Sequence, residues 1–401
     1  MALVVEDFNF LKERDLCDLK KVIVFGAGHY GITTIYFLQK KGIDVIACMD
    51  NDIQKNGRML FDQVVCIQPC FDKNFPVIVA VKNEELSESI YRQCLEMGYT
   101  DVIFLDFDRI DREIPNLPDK DYLNIMYAEI FDGKTIDWDK PRTFNEKMQW
   151  LKLYDRNPRY TDLVDKYEFK KHVESVLGEE YVIKTLGVWD SVDKIEWDIL
   201  PNQFVLKCTH DSGSVIVCRD KSSFDVEEAI NRLKKSYNRD FYMVGREWPY
   251  KDVKRRIIAE QYMQDAERRE LRDYKFYCFG GVAKFLYISE GLENRKTARI
   301  SYIDIRDGKW EFAPFRRTDY YEFEELPPIP DTYQEMVTIA QILSKGYPFV
   351  RVDLYEVNGK VYPSELTFTP GAGFTEYEPE EWNYKLGDML ELEGVFRTGY
   401  M

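Results

Sequence analysis

The chain has 401 residues, 45% hydrophobic and 15% aromatic, enough to bury large cores and to divide into two or three domains. Its formal net charge is −16 and no long Lys/Arg run offsets the acidic surplus. Nucleic acid and anionic membrane surfaces are thereby excluded as main partners, and a small-molecule or carbohydrate substrate is expected. Eight cysteines occur without a Cys-x-x-Cys pair, the first stretch MALVVEDFNFLKERD lacks the basic start and apolar run of a signal peptide, and no apolar run could span a bilayer. Reduced thiols and a cytoplasmic location are expected; self-association stays open.

From about Lys20 to Asp108 the segment KKVIVFGAGHYGITTIYFLQKKGIDVIACMDND reads as strand, glycine turn, helix and strand, and PVIVAVKN and DVIFLDFD add two apolar strands. The pattern predicts a parallel α/β, Rossmann-like domain over residues 1–110. Gly26, Gly28 and Gly31 match G-x-G-x-x-G, and Asp50 closes the next strand, where an acidic residue can bind a ribose. Such a site would hold NAD or a nucleotide sugar; equally, the glycines could serve only the turn and helix packing. The shortness of the unit favours a nucleotide sugar or no ligand over a dehydrogenase. Residues 111–121, DREIPNLPDKD, carry two prolines and many charges and read as a linker to a second domain over 122–401.

In that domain TFNEKMQWLKLY has helical spacing, with Thr143 as cap, Glu146 three residues on, and Met148, Leu151 and Leu153 as core positions. Lys166 starts a helix in VDKYEF, and Lys207 closes the apolar strand QFVLK, where a lysine wants an anion. The segment from His210 through Asp211, Ser212 and Gly213 to Ser214 could fold over phosphates with N–H groups and hydroxyls, or could be a plain hairpin turn. His210 alone reads as a surface residue, and the three histidines are too dispersed for zinc. Neither G-x-S-x-G nor G-x-x-x-x-G-K-[ST] occurs. Arg295, Arg299 and Arg316 could hold a substrate carboxylate or phosphate, against the plainer reading of a solvated surface.

The stretch PFVRVDLYEVNGKVYPSELTFTPGAG predicts a β-hairpin around Asn358-Gly359. With a two-residue turn Asp353 would oppose Ser364 and leave Glu365 on the other face. A three-residue loop with a glycine bulge instead puts Arg351, Asp353, Glu365 and Thr367 on one face, where paired carboxylates need a cation. We read a divalent-metal site, magnesium the leading ion; a solvated edge hairpin is the alternative.

In chain order, Asp165-Lys166, VLK before a Ser-Gly-Ser loop, AEQYM, DYKF, RVD and ELTFTPG resemble the ATP-grasp ligases, above all their cell-surface polysaccharide branch, which includes teichuronopeptide-synthesis proteins. The resemblance covers about Tyr122 to Leu392 and implies an ATP-grasp fold after the Rossmann-like sheet, making the chain a multidomain α/β and α+β protein. It also implies roles. Lys166 and Lys207 would contact phosphate, Ser212, Gly213 and Ser214 would cover the triphosphate, and Glu260, Gln261, Tyr262 and Met263 would read adenine. Asp273 would hold the ribose, and the ATP-binding set extends to His210 and Lys275. Arg351 would steady the transferring phosphoryl group, with Asp353 and Glu365 on magnesium. Where many relatives have Glu-x-Asn, this chain has Glu365-Leu366-Thr367, so a hydroxyl would be the third metal ligand.

The function implied is an ATP-dependent carboxylate–amine ligase working through an acyl phosphate, with ATP and Mg2+. Its partners would be a small-molecule or nucleotide-sugar carboxylate and an amine, in capsule or cell-surface polysaccharide synthesis. A small-molecule kinase of the same fold is the nearest alternative. An NAD- or nucleotide-sugar-dependent enzyme centred on Gly26 to Asp50 is a more distant one.

Overall fold

The computed structural model describes residues 9–67, 72–266, 271–291 and 296–395. The chain forms two compact units, residues 1–137 and 138–401. In the first, strands β1 (Lys21–Phe25), β2 (Asp44–Met49), β3 (Met59–Leu60), β4 (Gln63–Cys66), β5 (Val77–Val79) and β6 (Val102–Phe104) make one sheet in the order β3-β4-β2-β1-β5-β6. Its pairings from β4 to β6 are parallel, and only the β3–β4 hairpin is antiparallel. Strands such as Val22 to Phe25 are buried on both faces, which is why they read as unbroken apolar runs. Helices α1 (His29–Lys40) and α2 (Glu84–Glu96) connect β1 to β2 and β5 to β6.

The boundary differs from the sequence expectation. Residues 111–121 are no linker: α3 (Phe107–Glu113) ends there, a tight turn covers Ile114–Asn116, and α4 (Asp119–Ile130) begins. Helix α4 belongs to the first unit, where Asp121 takes both the Tyr36 hydroxyl and Lys40 of α1. The prolines that suggested a linker stand at helix starts, where a missing N–H costs nothing.

The second unit opens with α5 (Phe144–Tyr154), capped as expected by reciprocal Thr143 and Glu146 bonds and burying Met148, Leu151 and Leu153. Next come α6 (Arg159–Val164), α7 (Lys166–Leu177) and an antiparallel sheet of β7 (Thr185–Trp189), β8 (Phe204–Cys208), β9 (Ile216–Cys218) and β10 (Ile257–Gln261), ordered β7-β10-β8-β9. Between β9 and β10 lie α8 (Val226–Asn238) and the single turn α9 (Tyr242–Gly245); α8 covers one face of this sheet through Ala229 and Leu233.

A larger antiparallel sheet is built from β11 (Asp273–Phe279), β12 (Val282–Glu290), β13 (Arg299–Asp304), β14 (Glu311–Phe312), β16 (Phe349–Val357) and β17 (Lys360–Thr367), ordered β14-β13-β12-β11-β16-β17. Strands β15 (Arg316–Arg317) and β18 (Tyr377–Glu378) form a separate ribbon. Helix α10 (Tyr333–Ser344), with α6 and α7, covers the face carrying Phe276, Cys278 and Val352. The opposite face divides. Helices α5 and α11 (Glu381–Met389) cover its aromatic end around Phe279 and Phe349, and its other end carries Asp273, Lys275, Asp353 and Glu365.

Candidate active site

The charged end of this sheet face is set by register. Lys275 pairs across to Asp353 and Asp353 to Glu365, while Tyr277 pairs to Arg351 and Arg351 to Thr367. Cross-strand partners lie on one face, so the four hairpin residues do converge as expected. The device differs from the expectation. Val357 pairs with Lys360 around a two-residue turn in which Asn358 and Gly359 both have positive φ, 51° and 73°. The extra residue is Ser364, bulged between the Leu354–Pro363 and Asp353–Glu365 pairs, and its hydroxyl donates to the Asp353 carbonyl at 3.1 Å. Pro363 brings no N–H to the ladder, so the ladder breaks beside it.

The Arg351 guanidinium grips Asp353 with two bonds of 2.7 and 2.6 Å and reaches the Thr367 hydroxyl at 2.9 Å. Burial works against its charge, and the Asp353 carboxylate more than restores it. Lys275 lies between Asp273 (3.3 Å) and Asp353 (3.4 Å), whose attraction outweighs burial and strengthens its hold on its proton. Glu365 has one weak hydrogen bond, from Tyr250 at 3.4 Å, and among the described residues no ion-pair partner. No group of three or more His, Cys, Asp or Glu able to hold a metal occurs among the described residues. Two oxygen donors of carboxylate type, one without a cation, nevertheless suit magnesium, which takes one or two carboxylates and completes its shell with phosphates and water.

Beside this floor a cavity of about 220 Å3 is lined by Lys207, Glu260, Gln261, Tyr262, Met263 and Asp273. Its remaining wall is mostly apolar, with Ile183, Val205, Val217 and Tyr355, a setting for a flat ring. On β8, Phe204, Leu206 and Cys208 turn inward and Val205 and Lys207 turn to the cavity. Glu260 is buried between two lysines, Lys207 at 2.6 Å and Lys170 at 2.7 Å. Burial raises its pKa, but the two ammonium groups prevail and lower it to about 2. Lys170 itself is lowered by burial despite Glu260. A larger cavity of about 900 Å3 lies around Phe279 and Pro348, at the other end of β11, and none of the expected site residues lines it.

Lys170 was missed by the sequence reading, although it stands one helical turn beyond Lys166 on the same side of α7. Lys166 instead donates to the Asp211 carbonyl and secures the loop after β8. In that loop Ser212 and Gly213 are exposed, whereas Ser214 is buried, accepting from the Cys208 N–H at 2.9 Å and donating to Asp211 at 2.6 Å. His210 is not a surface residue: it is 3% exposed with its ring edge-on to Tyr237. Arg299 pairs with Glu324 and Arg316 with Glu378, both at solvent; Arg295 lies outside the described residues.

In the first unit Gly26 has φ +117° and a Cβ there would stand 2.7 Å from the Ala80 carbonyl oxygen; one at Gly31 would stand 1.9 Å from that of Gly26. Gly28 caps α1 in open space. The Asp50 carboxylate is already engaged, accepting from Ala27 N–H at 2.7 Å and Asp52 N–H at 2.8 Å and pairing with Lys55 at 3.0 Å. Burial opposes its charge, and these donors lower its pKa all the same. It braces the glycine turn.

Several solved structures are similar. A D-alanine–D-alanine ligase from Bacillus anthracis complexed with ATP aligns at 13% identity over 92% of this chain and 94% of its own, with a TM-score of 0.34. One from Helicobacter pylori aligns at 12% over 93% and 100%, TM-score 0.30. The ATP-grasp ligase PsnB with its minimal precursor, Mg and ADP aligns at 12% over 96% and 100%, TM-score 0.32. No curated protein matches the sequence. The TupA-like ATP-grasp family model, however, matches residues 146–391, more than half the chain and the whole of the site just described, and the chain belongs to that family.

Proposed function

We propose that the protein is an ATP-dependent carboxylate–amine ligase. The observation that carries this reading is the meeting, in one unit, of a largely apolar-walled cavity lined by Lys207 and by Glu260, which Lys170 also grips, with a sheet face presenting Arg351, Asp353, Glu365 and Thr367 in register. The cavity would take adenine against the β10 end, and Lys207 and Lys170 would turn from Glu260 to the phosphates. Asp353, Glu365 and the Thr367 hydroxyl would hold magnesium, which when bound neutralises phosphate charge as the γ-phosphoryl group moves. Arg351, fixed by its two bonds to Asp353, would stabilise the oxygens that gain charge in that transfer. The substrate carboxylate attacks the γ-phosphorus and ADP departs; an amine then attacks the acyl phosphate, giving an amide and inorganic phosphate. Enclosure by the floor and cavity would keep water from the acyl phosphate.

The finer reading, a sugar acid or amino sugar joined in capsule or cell-surface polysaccharide synthesis, rests on the resemblance of the ordered motifs. The first unit, with its parallel strand order and glycine turn, fits a Rossmann-like module that binds or presents a nucleotide-linked substrate.

The test is chemical. With magnesium, ATP and a competent acid, hydroxylamine should trap the acyl phosphate as a hydroxamate, and Lys207→Met and Glu365→Gln should each suppress it. A stable phosphorylated product that no amine consumes would establish the kinase alternative.

A further inference from the structure

Strand β17, which bears Glu365 and Thr367, is the outermost strand of the larger sheet, and such an edge needs a cover. The segment from Gly245 to Tyr250 supplies one, touching the strand and its continuation at three successive places. The Tyr250 hydroxyl donates to Glu365 at 3.4 Å, and the Glu247 carboxylate accepts from the Thr369 hydroxyl. A Cβ on Gly245 would stand 2.9 Å from that of Ala372. As the numbers rise along one segment they fall along the other, so the two run antiparallel and are joined through side chains.

This seam is buried and made of polar groups. Glu247, Tyr250 and Thr369 are each at most 8% exposed. Lys152, 2% exposed, closes the Gly245 end by donating to the carbonyls of both Gly245 and Ala372. Glu247 and Tyr250 belong to one tight turn, in which the Tyr250 N–H donates to the Glu247 carbonyl at 3.1 Å, so their two grips on the strand are mechanically one. Leu366 and Phe368 turn into the core under α6 and α10, which leaves Glu365, Thr367 and Thr369 on the other face. Tyr250 holds the first of these, Arg351 the second, at 2.9 Å, and Glu247 the third. Glu247 itself belongs to no group of three or more candidate metal ligands among the described residues.

We propose that Glu247 and Tyr250 are positioning residues of the magnesium site. Tyr250 aims the Glu365 carboxylate, and Glu247, through Thr369, fixes the strand end that presents the Thr367 hydroxyl. Both act through other residues, as the partners behind metal ligands do, and such partners set metal affinity by about tenfold to a hundredfold. The inference rests on the reading of Asp353, Glu365 and Thr367 as the residues that hold magnesium.

The factor by which magnesium tightens a non-hydrolysable ATP analogue reads this site without turnover, because ion and nucleotide bind in linked equilibria. Calorimetry on the full chain, with and without magnesium, gives it. Tyr250→Phe and Thr369→Val each delete one hydroxyl of the seam, and each should reduce the factor by about tenfold while leaving the affinity without magnesium unchanged. Glu247→Ala should do the same, whereas Glu247→Gln keeps an oxygen to accept from Thr369 and should restore most of the factor. Thr369→Val and Glu247→Ala break one contact from its two ends, so the double variant should lose no more than either alone. Glu365→Gln tests the underlying reading: a factor as large as in the wild type would dismiss the metal assignment, and the positioning roles with it. A factor lost in Glu365→Gln but kept in Tyr250→Phe and Thr369→Val would overturn the positioning inference alone. A Glu247→Gln protein as weak as Glu247→Ala would overturn the role given to Glu247.

Discussion

Replacing Glu260 by Gln removes the one carboxylate shared by Lys170 and Lys207. The two lysines bring that carboxyl from 4.5 to about 2. At about 1.4 kcal/mol per unit this is a stabilisation on the order of 3 kcal/mol. The folded pKa is the lower one, so the contribution is complete above about pH 4.5 and is lost as pH falls toward 2. At pH 7 the variant should therefore melt about 6 °C below the wild type. The gap in unfolding free energy should shrink by roughly half between pH 5 and pH 3. The two lysines, left facing each other, gain most from a triphosphate, so ATP should raise the melting temperature of the variant more than that of the wild type. Thermal and urea unfolding at pH 7, 5 and 3, with and without ATP, read all three effects. A variant as stable as the wild type, or a gap that does not change with pH, would refute the ion-pair account.

The first unit should respond unequally to its glycines. Gly31→Ala should cost about 2 kcal/mol or more in urea unfolding, because its Cβ meets the Gly26 carbonyl oxygen at 1.9 Å, whereas Gly28→Val, in open space, should fold and keep ATP turnover. A folded Gly28→Val protein without ATP chemistry would contradict the proposed division of labour. In the second unit Lys152 is buried within reach of the charge of Glu247, and Lys152→Met should destabilise by about 3 kcal/mol by leaving the Gln149, Gly245 and Ala372 oxygens without their donor. The double variant with Glu247→Gln should lose less than the two single losses added; strict additivity in the cycle would dismiss the coupling.

What the sequence left undecided was mostly a matter of one residue or one docking angle. Alternation and Asn358-Gly359 announce the hairpin, but the face shared by Asp353 and Glu365 depends on a single extra residue. That residue was sought in the turn and sits at Ser364. Pro363 inside the strand was the available clue. Helical spacing puts Lys166 and Lys170 on one side of α7, and only the docking of that helix against β10 decides that Lys170 reaches Glu260. Pro115 and Pro118 fit a linker and a helix start alike, since both tolerate a missing N–H.

Helix α5 has a bearing on how the protein is made. Lys152 on this helix donates to the Gly245 and Ala372 carbonyls, and neighbouring Gln149 donates to those of Ala372 and Gly373. Asn145 and Lys147, from the same helix, bond to Thr375, Gly387 and Leu390. The first helix of this unit is thus fastened chiefly to segments synthesised more than two hundred residues later. A nascent chain halted on the ribosome before Ala372 carries Asn145, Lys147 and Gln149 with their carbonyl acceptors at Thr375, Gly387, Leu390, Ala372 and Gly373 still untranslated. The unit must then close late and nearly all at once, and truncation from the C-terminal side should strip its very first helix before it disturbs the β7–β10 sheet.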